Sequence, residues 1–316
     1  MARKLEYNAI LAKREDLTPS LAIFRVQPDS GVPAGGNWFV PGQYIAIGLN
    51  SDEKPATGSV QRPMSIASAP EDPDFVDFYI RYVNHPTSEN PLTHLLWKNP
   101  AGTRLFMRMN PKGRFTLAAT VGEGDSRLKV FVSAGTGLAP FRSMVRSYHN
   151  QHPQARLDGF AILHGASYPQ DLGYRDELQA LAESHGLCYL STISRPNEAP
   201  EWQGGTGRVE DLFLPEQMEA TERALGLGAG GLCAQNAVVY VCGLQGTIGK
   251  TFERLVSRGF VPHENRIRRS LGISKEVPST LFWEQYDTEP VIDLKDEAVV
   301  AKVKGDLNAA LDRQGS

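Results

Sequence analysis

The chain has 316 residues, a formal net charge of −3 and a hydrophobic share of 41%. That length suits about two domains with a core each, and the small net charge carries no global footprint for nucleic acid or an anionic membrane surface. No apolar run is long enough to cross a bilayer, and Met1-Ala2-Arg3-Lys4 leads into a polar stretch without an apolar signal core, so a soluble, cytoplasmic protein is expected.

From Lys4 to about Leu117 the chain reads as short strands. Ala22–Val26, Gln43–Leu49, Phe75–Val83 and Arg104–Met109 are bounded by Pro, Gly, Asn and Asp. Many short strands with turn signals predict a closed antiparallel barrel or a sandwich. Thr87–Lys98 is the exception, with Leu92, Leu95 and Leu96 at helical spacing. Between Ala118 and Arg127 the composition turns small and polar, which places a boundary there. The expected domains are 1–126 and 127–287, with an extension over 288–316.

Beyond that boundary strands alternate with helices. Leu128–Ser133, Gly159–His164, Leu187–Ile193 and Ala237–Cys242 are strand candidates, and Ala139–His149, Tyr174–His185 and Thr247–Arg258 are helical ones. This alternation predicts an α/β domain with a parallel, Rossmann-like sheet, whose ligands bind beyond the carboxyl ends of the strands. Three of those ends stand out: Gly135-Thr136-Gly137, Ser194-Arg195 and Cys242-Gly243. Phe282–Tyr286 is read as following a completed sheet. In Asp287–Ser316, Val300, Val303, Leu307 and Leu311 share one helical face, against the weakening effect of Gly305, and predict a docked surface helix.

Chemistry narrows with the cysteines. Cys188, Cys233 and Cys242 are scattered and odd in number, which argues against a disulfide framework and a four-thiolate iron–sulfur or zinc site. The histidines form no metal-ligand pattern. No metal is expected, and redox chemistry would need an organic cofactor. Val130–Phe141 runs from an apolar strand through the glycine turn to a helix start, a place where backbone N–H groups can face a phosphate. Arg62-Pro63-Met64-Ser65-Ile66-Ala67-Ser68 offers a guanidinium suited to phosphate oxygens and a hydroxyl shortly after. Asn90-Pro91-Leu92-Thr93 opens a helix, and Pro111-Lys112-Gly113-Arg114-Phe115 is a tight turn. Each piece alone also reads as an ordinary connection, salt bridge, cap or turn.

Their order is more specific. Arg62…Ser65-Ile66-Ala67-Ser68, Gly135–Arg142 and Tyr240-Val241-Cys242-Gly243-Leu244-Gln245-Gly246 together resemble the ferredoxin–NADP(H) reductase family, most closely its plant-type branch, from the early strands through Tyr286. The resemblance implies an FAD-binding antiparallel barrel followed by a parallel-sheet NADP domain. It implies FAD contacts from Arg62, Pro63, Met64, Ser65, Tyr79, Ile80, Arg81, Leu92, Thr93, Thr136 and Tyr286. Within that set Arg62 and Thr93 would meet the pyrophosphate, and Ser65 would lie near the flavin N5 atom. NADP contacts would come from Gly135, Gly137, Pro140, Ser194, Arg195, Arg208, Cys242 and Gly243, with Thr136 near both cofactors.

Ser65, Cys242, Glu284 and Tyr286 are the implied catalytic set: Cys242 positions nicotinamide, Tyr286 gates its place over the flavin, and Glu284 relays a proton or hydrogen-bonds nearby. Phe282 or Trp283 capping the flavin, or all three aromatics merely packing, remain alternatives. Two departures stand out. Met64 takes the place of the family's usual aromatic, so it can pack on a ring through sulfur without offering a hydroxyl, and the chain continues past Tyr286.

NADP is favoured over NAD, because Leu187–Ile193 ends in Ser194-Arg195 with no acid until Glu198, and Arg208 follows. The expected activity is electron exchange between NADP(H) and ferredoxin or flavodoxin by a monomer. Arg104, Arg108, Lys112, Arg114 and Arg266-Ile267-Arg268-Arg269 are candidates to meet the acidic carrier. Alternatives are an oxygenase reductase component or general flavin reductase, and a non-catalytic nucleotide-binding regulatory subunit.

Overall fold

Apolar side chains alternate along the early strands, and burying one face of each yields a barrel. The computed structural model describes residues 4–33, 38–51, 58–86, 88–122 and 124–315. The parts of the sequence readings that fall on Met1-Ala2-Arg3, Thr87, Glu123 and Ser316 lie outside them. The chain divides into two compact units, one running to Glu123 and taking in Leu138–Gln154, the other made of Gly124–Gly137 and Ala155 onward.

The first unit holds β1 (Ala9–Thr18), β2 (Leu21–Pro28), β3 (Tyr44–Asn50), β4 (Ser59–Ser65), β5 (Val76–Arg81), α1 (Leu92–Lys98), β6 (Arg104–Met107), the short α2 (Leu117–Thr120) and α3 (Leu138–Gln151). The strand order is β4-β3-β6-β1-β2-β5, with antiparallel pairs. An Ile66–Phe78 bridge joins the end of β4 to β5 and brings the two edges of the sheet together. Leu11, Phe24, Val26, Ile45, Ile47, Phe78, Ile80 and Met107 fill the interior, each such burial stabilising by roughly 1.5–3 kcal/mol. The helix expected to open at Asn90-Pro91-Leu92-Thr93 runs from Leu92 to Lys98. Pro91 stands in extended backbone immediately before it, and Pro100 follows its last cap.

Helix α3 connects two strands of the second unit yet packs with the first. Arg142 Nη1 donates to the Ala67 carbonyl at 2.7 Å and Ser143 Oγ to the Ser68 carbonyl at 2.7 Å. Arg146 pairs with Asp72 at 2.8 Å, and Ser147 Oγ donates to Glu71 at 2.9 Å.

The second unit holds β7 (Leu128–Ala134), β8 (Phe160–Ala166), α4 (Arg175–His185), β9 (Cys188–Ile193), β10 (Gly205–Thr206), α5 (Pro215–Ala224), β11 (Ala237–Gly243), α6 (Gln245–Val256), α7 (Asn265–Leu271), β12 (Leu281–Gln285) and α8 (Glu297–Gly315). Its six strands are parallel in the order β10-β9-β8-β7-β11-β12. The chain winds outward from β7 to β10, then returns to β11 on the other side. The point of reversal, between β7 and β11, is where open α/β sheets form their ligand crevice. One expectation needs correction: Phe282–Gln285 does not follow a complete sheet but lies in its edge strand, with Trp283 level with Val241 and Glu284 level with Cys242. Helix α8 runs through Gly305 and packs on α6 and α7, burying Val303, Leu307 and Ala310. Among the described residues no helix is long and apolar enough to cross a membrane.

Candidate functional site

In the first unit the outer strand β4 carries the candidate residues. Arg62 and Pro63 are exposed and Met64 and Ser65 half-buried, instead of the strict in–out alternation of a strand with one dry face. Pro63 is tolerated because β4 pairs only with β3 along its length. The Arg62 guanidinium donates to the Gln61 carbonyl at 2.8 Å, and Met64 packs partly on the barrel core.

Helix α1 packs on β3 and β4, bringing Leu92 and Thr93 to this side of the barrel. Thr93 is buried, and its hydroxyl accepts the Val83 N–H at 3.4 Å. Just before it, Asn90 is buried with its side-chain nitrogen unpartnered among the described residues. On β5, Ile80 belongs to the interior, Tyr79 is buried on the alternate face and Arg81 is half-buried at the end. An exposed guanidinium and an orphaned amide donor on packed neighbouring elements fit an anionic diphosphate group.

In the second unit the glycine turn, the end of β11 and the end of β12 converge. Gly135 has φ +54°, a region costly to a side chain. A Cβ on Gly137 would lie 2.0 Å from the Cys242 carbonyl oxygen, so only glycine permits this approach of two backbones. Thr136 between them is half-exposed. Tyr286 donates its backbone N–H to the Gly243 carbonyl at 3.0 Å and its hydroxyl to the Thr136 carbonyl at 3.3 Å, with 43% of the residue exposed. Cys242 is fully buried. Burial first, and the charge of Glu284 second, hold its thiol well above the ordinary pKa, against a hydrogen bond from Tyr286. It therefore stays a thiol at neutral pH.

Two contributors here were missed from sequence. His164, fully buried in β8, lies level with Ser133 and Ser191. Its Nδ1 is 3.2 Å from the Tyr189 hydroxyl and its Nε2 is unpartnered among the described residues. Burial pushes its pKa down to about 3, against the pull of the Gly135 backbone. Asp287 accepts the Gln245 N–H at 2.9 Å and so caps α6 at its N-terminus. A histidine inside an apolar strand, and an aspartate just after the aromatic run, were the available signals.

Ser194 and Arg195 follow β9, away from this cluster by two strands, and both are exposed. Exposed Arg208 follows β10, its N–H on Asp211 at 3.0 Å. Pro140 is buried in the first turn of α3 and thus belongs to the first unit. A left-handed glycine, two closely apposed strand ends and basic groups beyond neighbouring strands fit a dinucleotide.

Residues 131–251 match the family model described as Oxidoreductase NAD-binding domain. Over 207 residues the chain is 34% identical to Ferredoxin--NADP reductase B of Sorangium cellulosum, covering 65% of this chain and 74% of that protein. The chain belongs to the ferredoxin–NADP reductase family.

This family member is thus an oxidoreductase with a nicotinamide-dinucleotide domain in its second half. Similarity also reaches the xylene/toluene monooxygenase electron transfer component XylA of Pseudomonas putida, 26% identical across 66% of this chain and 54% of that one. In fold, the reductase resembles a ferredoxin NADP+ reductase from Neisseria gonorrhoeae solved with bound FAD and NADP. The TM-score is 0.67 at 22% identity, over 90% of this chain and 99% of that one.

Proposed function

We propose that the chain is an FAD-dependent reductase moving electrons between NADP(H) and a ferredoxin or flavodoxin, as a cytoplasmic monomer. FAD belongs to the barrel domain, 1–126, and NADP to the α/β domain, 127–287, with 288–316 as a helical extension. When bound, FAD supplies the conversion between hydride exchange at its N5 atom and single-electron exchange with the carrier.

The chain's own groups hold and orient. Arg62 and Thr93 serve the FAD pyrophosphate, and Ser65 offers its hydroxyl near N5. Pro63, Met64, Tyr79, Ile80, Arg81 and Leu92 shape the flavin side. Gly135, Gly137 and Pro140 receive the NADP pyrophosphate, while Ser194, Arg195 and Arg208 serve the 2′-phosphate. Cys242 and Gly243 set the nicotinamide, Tyr286 covers the place it must take, and Glu284 holds a proton or hydrogen bond beside it.

One observation carries this reading: the Gly137–Cys242 apposition is covered by Tyr286, whose hydroxyl reaches the Thr136 carbonyl. The test is the visible spectrum of the purified protein and its bleaching by NADPH without oxygen. A yellow protein bleached by NADPH is expected, and a colourless one that takes up no FAD overturns the reading. Similarity to the monooxygenase component supports a second reading, a reductase serving an oxygenase. Failure to reduce any ferredoxin or flavodoxin, together with support of an oxygenase component, would favour it.

A further inference from the structure

Arg195 stands in the sequence with no acid until Glu198, and the fold removes that separation. After Arg195 the chain turns through Pro196–Glu198, with the Glu198 N–H on the Arg195 carbonyl at 3.2 Å. That turn folds the carboxylate back. Arg195 Nη1 donates to the Tyr168 hydroxyl at 2.7 Å, and that hydroxyl donates to Glu198 Oε2 at 2.8 Å. Arg195 and Glu198 lie 3.7 Å apart, and the guanidinium carbon sits 5.4 Å from the centre of the Tyr168 ring. The three side chains close a ring just past the ends of β8 and β9.

This ring is not a structural staple. The side chains of Arg195 and Glu198 are 57% and 58% exposed, and a pair so exposed contributes about 0–1 kcal/mol to stability. Its position carries more information than its strength. Through Tyr168 the ring borders the end of β8, the second strand of this sheet in chain order. Past the second strand of a dinucleotide fold, a carboxylate hydrogen-bonds the ribose 2′-hydroxyl, whereas an arginine accommodates a 2′-phosphate. Here both groups occupy one spot and neutralise each other. A 2′-phosphate must take Arg195 from Glu198 and endure the carboxylate's charge. A 2′-hydroxyl can donate to that same carboxylate.

We infer that Glu198 is a selectivity residue that weakens the preference for the 2′-phosphorylated dinucleotide, so that the site accepts nicotinamide dinucleotides with and without the 2′-phosphate. The inference rests on the proposed nucleotide site. Glu198→Gln isolates the charge, because the amide oxygen can still accept from the Tyr168 hydroxyl.

Calorimetric titration of the full chain with adenosine 2′,5′-bisphosphate and with adenosine 5′-monophosphate tests it without relying on turnover. Glu198→Gln should tighten the bisphosphate about five-fold, the factor equivalent to one exposed charge pair. Binding of the monophosphate should stay level or weaken, and the gain should shrink at high salt. Arg195→Gln should weaken the bisphosphate selectively. The ratio of flavin bleaching rates by NADPH and NADH should move with the binding ratio. If the ratio in Glu198→Gln stays level or falls while Arg195→Gln still loses the bisphosphate, the inference is overturned and the nucleotide site stands. If the wild-type chain binds neither probe, the site itself is refuted and the inference with it.

Discussion

Under the proposed function Cys242 joins packing to the positioning of a ligand. Its thiol is fully buried and raised well above the ordinary value of 9.0 by burial and by Glu284, so a thiolate mechanism is not open to it. What remains is volume at the end of β11, against which a nicotinamide ring can be set. Cys242→Ala should lower the rate of flavin reduction by NADPH about 10- to 100-fold, the order of loss for a misplacement near 1 Å. The nucleotide dissociation constant should change much less. Stopped-flow reduction across a range of NADPH concentrations separates the two, and the wild-type rate should show no step as pH approaches 9.0. At this scale the sequence was informative where a residue type is compulsory. Gly137 is compulsory because a Cβ there would meet the Cys242 carbonyl, and Gly135 is favoured because its backbone is left-handed. Cys242 stands out in the sequence because it ends an apolar strand. Glu198, His164 and Asp287 do not, since a hydroxyl bridge to Tyr168, a buried ring nitrogen and a helix cap arise only when distant segments meet.

Elements show the same division. Strands β2, β3 and β5 to β9 follow from apolar patterning and turn residues, within a few residues of their observed ends. Strand β12 did not, because a run of five residues carries too little alternation to separate a strand from packed aromatics. Helix α5 escaped notice for a related reason: Glu216, Gln217, Glu219 and Glu222 leave it few apolar positions, and Met218 and Thr221 face inward. The allegiance of α3 was hidden too, because Arg142, Ser143 and Arg146 look like a solvated face until their carbonyl and carboxylate partners are known. Arg142→Ala leaves the Ala67 carbonyl without its buried donor and should cost about 1–3 kcal/mol. Leu307→Ala empties space under α8, beside Ile267 and Leu271, and should cost about 2–5 kcal/mol. Denaturant melts followed by circular dichroism check both. An effect of Leu307→Ala below about 0.5 kcal/mol would mean that α8 is not docked in solution.

For the whole molecule, two separate cores mean that unfolding need not be a single transition, and buried histidines indicate which unit acid attacks. His164 and His263 both lie in the second unit. Burial lowers their pKa values from 6.5 to about 3 and about 4, with weaker opposing pulls from the Gly135 and Leu281 backbones. Because the folded values are depressed, the unfolded chain binds more protons between the two sets of values. Stability is thus fully present above pH 6.5 and is lost as pH falls toward 4. The ceiling is about 1.4 kcal/mol per pH unit for each histidine. Glu210 acts in the other direction, since burial raises its carboxyl and protonation favours the fold. It titrates from a base of 4.5, below the ordinary histidine value of 6.5, so the histidines set the sign in the upper part of the window. A denaturant melt resolved into two transitions should therefore show the second unit weakening between pH 6.5 and 5 while the barrel changes little. His164→Asn, which removes the titrating ring, should flatten that slope even if it lowers stability at neutral pH. Equal weakening of both transitions, or a slope unchanged in His164→Asn and in His263→Asn, would show that acid acts through other groups.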